Sequence, residues 1–149
     1  MLDLTLAILH HLAVFTLVGA FAAEFMLLRP GLEARRLGQL ARLDAAYGAI
    51  AGLAVIVGIV RVIFGAAGWQ YYVGNWVFWA KMLAFVGVGI ASIPATRQIA
   101  RWRRAAKSDA GYEPPAEEVL GARRFLWLQV ALFVFIPALA AAMARGYGA

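Results

Sequence analysis

The chain has 149 residues, the length of one ordinary domain. Apolar residues make up 64% of it and charged residues 15%, a balance outside the soluble range that points to an integral membrane protein. The formal net charge is +6, and the absence of cysteine excludes disulfides, thiolate metal sites and cysteine redox chemistry.

The first apolar stretch, residues 4–28, is almost pure hydrocarbon except for His10, His11 and Glu24. At about 1.5 Å rise per residue it is long enough to cross a bilayer. Ala20-Phe21-Ala22 resembles a signal-peptidase site, but the chain starts with Asp3 and no Lys or Arg, so a retained helix is expected. The span stops at Arg29-Pro30-Gly31, a charge and two helix breakers. Residues 32–43 then place Leu37, Leu40 and Leu43 at helical spacing among arginines, which predicts a short interfacial amphipathic helix. A second span is expected over about residues 44–64, with the small-residue pattern Gly48-x-x-x-Gly52.

The uncharged connection 65–75 carries Trp69, Tyr71 and Tyr72, and with Trp76 and Trp79 makes an aromatic belt for one membrane interface. The third span covers about residues 76–96, with Pro94 interrupting one end. A basic and then acidic loop is predicted for about residues 97–119, and the fourth span for about residues 120–143, kinked at Pro137. The expected fold is therefore an all-α, integral membrane four-helix bundle, a single transmembrane domain over residues 1–149.

Eleven of the fourteen basic residues lie in the first connection or in and around the third, counting Arg123 and Arg124 at the start of the fourth span. This is the positive-inside pattern, and it predicts that both termini are extracytoplasmic. It also accounts for the excess positive charge through the lipid bilayer alone, so no nucleic acid partner is expected.

Ionisable residues at membrane depth are costly and mark candidate sites. His10 lies about 9 Å below the outer end of the first span, and Arg61 and Lys81 lie at similar depth on the second and third. Each shares a helical stripe with inward-type residues: His10 with Asp3, Leu6, Leu17 and Glu24; Arg61 with Tyr47, Ala51, Ala54 and Gly58; Lys81 with Ala84, Val88, Ser92 and Ala95. His11, about 100° away, follows a greasier face. Three nitrogen bases clustered in low dielectric call for an anion or a metal. A porphyrin such as haem b would satisfy them, with Arg61 and Lys81 on the propionates, His10 on the iron, and Met82 or a second subunit as sixth ligand. The bland alternative is snorkelling of Arg61 and Lys81 and packing of the histidine. A second polar set, Glu24, Asp44, Tyr47, Arg123 and Arg124, is expected to pair ions and set helix register at the other end. Hydrolase chemistry lacks its parts: there is no nucleophile elbow, and the two histidines share one helix.

The segments LAILHHLAVF…LLRP, IVRVIFGAAGWQYY and FWAKM resemble an uncharacterised bacterial family of short four-helix inner-membrane proteins, a domain of unknown function, over nearly the whole chain. More distantly, His10 with Trp79-x-Lys81 is similar to the HemJ-type protoporphyrinogen oxidases, and the helical plan is similar to CopD-like copper-resistance domains. The first likeness implies haem b and a possible oxidoreductase. The second implies a copper- or metal-handling protein using His10, His11, Met82 and Met143. HemJ-type proteins carry further histidines late in the first and third helices, where this chain reads FMLLRPG and VGVGIASIPATRQ. A third reading is a structural or accessory subunit of a larger membrane complex, or a homo-oligomer.

Overall fold

Where hydrocarbon surrounds a chain, backbone amides and carbonyls must bond within their own segment, so apolar stretches of this length become helices. The computed structural model describes residues 1–148. They form α1 (Leu2–Leu27), α2 (Ala34–Phe64), a short α3 (Trp69–Gly74), α4 (Trp76–Ser108) and α5 (Ala116–Ala144), with no strand among the described residues. Four of these are long and apolar enough to cross a membrane. The molecule is two antiparallel hairpins, α1 with α2 and α4 with α5, joined mainly through α2 and α4.

Two helices are longer than the sequence predicts. Residues 32–43 do not form a separate interfacial helix: α2 runs unbroken from Ala34 to Phe64, and Leu37 and Leu40 are fully buried within the protein. No proline stands between Arg35 and Phe64, so nothing ends the hydrogen-bond ladder once it has started. Likewise α4 continues through Pro94 to Ser108, and most of the predicted 97–119 loop is helix. A proline costs one i→i−4 bond and strains the preceding turn, but with both ends of α4 packed this is tolerated. Only residues 109–115 remain as a connection there.

The two ends of the bundle differ in chemistry. The aromatic end gathers the amino terminus, the α2–α4 connection and the last turn of the described chain. Asp3 Oδ1 accepts from Ala66 N at 3.2 Å, Tyr71 donates its hydroxyl to Met143 O at 2.9 Å, and Asn75 Nδ2 donates to Tyr147 O at 3.1 Å. Asn75 also caps α4, its Oδ1 accepting from Val77 N and Phe78 N at 2.9 and 3.3 Å. That satisfies two of the orphan amides at a helix start.

The basic end is where the core is densest. Leu28 and Leu32, in the α1–α2 connection, turn inward beside Leu37, Leu40, Ile99, Trp102, Val119 and Leu126. Arg123 of α5 donates to Phe25 O at 3.1 Å and to Leu28 O, and its guanidinium stacks on the Phe25 ring at 4.5 Å. It therefore caps the carbonyls that α1 leaves unpaired at its end. Trp102 is completely buried and donates Nε1 to Glu118 at 2.8 Å, tying α4 to the start of α5.

Trp102 thus fills the largest volume in the core and holds one of its few polar links. Trp102→Ala is expected to cost about 3–5 kcal/mol, the range for truncating a buried large aromatic residue. Thermal unfolding in detergent, compared with Trp102→Phe, measures this; equal stability of all three proteins would contradict the packing described.

Candidate functional site

Three basic side chains come together in the half of the bundle nearest the aromatic end. His10 lies on the buried stripe of α1 with Leu6, Ala13 and Leu17. It reaches α2 at Gly58: a Cβ built there would sit 3.4 Å from His10 Cε1 and 3.7 Å from its Nδ1. The missing side chain is what admits the imidazole, the usual use of a small residue at a close membrane-helix crossing. Arg61, one turn on from Gly58, and Lys81 on α4 are half-buried like His10. The three are near enough for the charges of Lys81 and Arg61 to act on the imidazole, and for Arg61 to act on Lys81.

The polar atoms of this trio are poorly matched within the chain. His10 Nδ1 and Arg61 Nε are buried with no hydrogen-bond partner. The one salt bridge among the described residues, Arg35 with Glu33 at 3.7 Å, is far along the chain at the other end. Asp3, the acid on the same stripe of α1, has Oδ1 engaged by Ala66 N. Lys81 Nζ lies 5.5 Å from the Phe78 ring centroid, a cation–π contact from its own helix. Buried nitrogens without acceptors are rare enough to require an explanation.

His11 is exposed on the bundle surface, its Nδ1 2.7 Å from Ala7 O, and its ring stands edge-on to His10 with centroids 6.4 Å apart. Met82 is half-buried, rotated by about 100° from Lys81 on the same helix. Met143 lies in the last turn of α5, where its carbonyl takes the Tyr71 hydroxyl. Among the described residues there is no group of three or more His, Cys, Asp or Glu placed to hold a metal ion.

Haem b can be tested against these donors. Two cations for propionates and one imidazole for iron are the right set of donor types. Room for the macrocycle is a separate matter. Two grooves on the molecule touch none of His10, Arg61 and Lys81. One is an apolar furrow between α4 and α5, lined by Leu83, Gly87, Leu132 and Phe135 among others; the second lies at the basic end.

The second polar set also converges, with members that sequence reading missed. Glu24 is only 3% exposed and faces Asp44 and Tyr47 on α2. Tyr47 donates its hydroxyl to Gln129 Oε1 on α5 at 2.9 Å, and Thr96 on α4 donates to Asp44 Oδ1 at 2.6 Å. Gln129 was visible as the one amide inside the fourth apolar stretch, and it is 2% exposed. Arg123 spends its guanidinium on backbone carbonyls, and Arg124 is exposed, so neither forms the ion pair expected of it.

A helical bundle with four membrane-crossing segments and polar clusters near both ends is a polytopic membrane protein. The chain belongs to a family described as predicted membrane protein (DUF2214), whose model matches residues 2–148. No curated protein and no solved structure matched it.

The His10–Gly58 contact gives a direct check on the trio's geometry. Gly58→Leu is expected to drive the imidazole out and lower stability by about 1–3 kcal/mol, as overpacking does. In a His10→Ala background the same change should cost less, with a coupling of about 1 kcal/mol in a double-mutant cycle. Additive effects would mean that the ring does not rest on this glycine.

Proposed function

We propose that this membrane protein binds an anionic amphiphile in the half of the bilayer at its aromatic end, and that a porphyrin, haem b in particular, is the ligand it takes. The observation that carries this reading is the convergence of His10, Arg61 and Lys81 from three helices, with two buried nitrogens lacking partners and no carboxylate in salt-bridge range. Charge-assisted bonds from Arg61 and Lys81 would seat two carboxylates at the interface. The imidazole of His10 would face the centre of the ligand. The apolar body would lie against the exposed aliphatic side chains of the helices, where lipid otherwise lies. Bound iron would supply one-electron redox chemistry; the residues themselves bind and orient. On the positive-inside distribution this site faces the extracytoplasmic side of a bacterial inner membrane.

Titration of the nanodisc-reconstituted protein with haem b and with iron-free protoporphyrin tests the reading. Both should bind saturably, and haem should show a shifted Soret band. His10→Ala should abolish the Soret shift while leaving the iron-free ligand bound. Arg61→Ala and Lys81→Ala should each weaken both ligands about 10-fold, equivalent to about 1.4 kcal/mol. Absence of saturable binding, or affinities unchanged in the Arg61→Ala/Lys81→Ala double variant, would overturn the proposal.

A further inference from the structure

At the basic end the imbalance has the opposite sign. Glu24 Oε2 is buried and has no hydrogen-bond partner, in a side chain that is 97% covered. The neighbouring hydroxyls, and one nitrogen of the Arg123 guanidinium, are engaged elsewhere. The Tyr47 hydroxyl donates to Gln129, the Thr96 hydroxyl donates to Asp44, and the Arg123 guanidinium donates to Phe25 O and Leu28 O while stacking on Phe25. No basic residue lies within 4 Å of either acid. Two carboxylates facing each other in a low-dielectric interior, without a cation between them, are not a stable arrangement. Such a group takes up a positive charge instead.

There is a route by which that charge can arrive. A groove of about 390 Å³ opens at the basic end, lined by Ala41, Asp44, Ile99, Ala100, Arg103, Arg104 and Lys107. Asp44 lines this groove and its charge also acts on Glu24, so it couples the surface to the buried acid. The Thr96 hydroxyl holds one of its oxygens in place. The rim is cationic, which disfavours entry of a metal cation, while the Asp44 carboxylate can take a proton from water in the groove.

We propose that Glu24 is a proton-binding site within the membrane region, loaded from the basic end through Asp44. The step is a simple protonation: one oxygen of the Glu24 carboxylate forms an O–H bond with a proton delivered by water, and no electrons move. The charged and titratable groups around it are Asp44 and Tyr47 on α2, Arg123 on α5, and Arg103, Arg104 and Lys107 of α4 at the groove rim; Gln129 and Thr96 complete the wall as neutral partners. The site is separate from the cationic trio: Glu24 lies 14 residues beyond His10 on α1, about 21 Å along the helix axis. It therefore stands whether or not that trio takes a porphyrin.

The test uses dicyclohexylcarbodiimide, an apolar reagent that modifies carboxyl groups in their protonated form. Full-length protein in nanodiscs is treated across a pH series and the modified residue is located by mass spectrometry. A water-soluble carbodiimide, in parallel, reports exposed acids such as Glu33, Asp109 and Glu117. Dicyclohexylcarbodiimide should modify Glu24, more rapidly as pH falls. The adduct at residue 24 should vanish in Glu24→Gln, a neutral isostere whose melting temperature should match or exceed that of the unmodified chain. Asp44→Asn should slow modification of Glu24 at neutral pH several-fold. The proposal is overturned if Glu24 does not react while exposed acids do, or if its rate is independent of pH. Protection by sodium chloride, but not choline chloride, at constant pH would assign the site to a metal cation and overturn it too.

Discussion

Hydrocarbon neither donates nor accepts a hydrogen bond, and every part of this structure answers to that fact. Backbone groups close their bonds within helices, and the helices end only where a cap or water is at hand. Asn75 caps α4 with its own side chain, while Arg123 reaches across from α5 to cap the end of α1. The second arrangement makes an arginine, at first sight a topogenic surface charge, part of the packing between the two hairpins. Pro94 and Pro137 each leave one carbonyl of the preceding turn without its usual amide, yet both lie inside unbroken helices.

The same constraint gives meaning to the polar side chains that remain. Most find partners: Tyr47 with Gln129, Thr96 with Asp44, Trp102 with Glu118. Among the described residues three buried side-chain atoms do not, namely His10 Nδ1, Arg61 Nε and Glu24 Oε2. They divide by position and by sign. The two nitrogens lie near the aromatic end among cations; the oxygen lies near the basic end beside a second carboxyl. The two clusters thus hold unmatched polar atoms of opposite character, nitrogens among cations in one and a carboxyl oxygen in the other.

The two clusters sit on shared helices. α1 carries His10 and Glu24 on one buried stripe, and α2 carries Tyr47, which closes the lower cluster, and Arg61, which belongs to the upper. Between them lie Leu17, Phe21 and Ala54, all buried, with Phe21 stacked against Tyr47 and Phe133. This apolar layer separates the sites and leaves no chain of polar groups linking one to the other among the described residues.

Periodicity and hydropathy carry a great deal for a chain of this kind. Four apolar stretches of bilayer length, a basic bias in two connections and an aromatic belt in the third were enough to read four crossing helices, because hydrocarbon permits so few alternatives. The stripes through His10, Arg61 and Lys81 were legible for the same reason: helical spacing converts position into face. What spacing does not convey is which face meets which neighbour. Leu37 and Leu40 have the pattern of a helix lying on a membrane surface, and they are buried because α2 continues and folds them against Trp102 and Val119. Arg123 reads as an ion-pair partner and is instead a cap. Gln129 gains its role from Tyr47, 82 residues away. Hydrogen-bond partners on different helices depend on rotation and depth to within an ångström or two, and no local pattern in the chain encodes those relations; the packing of the four helices settles them.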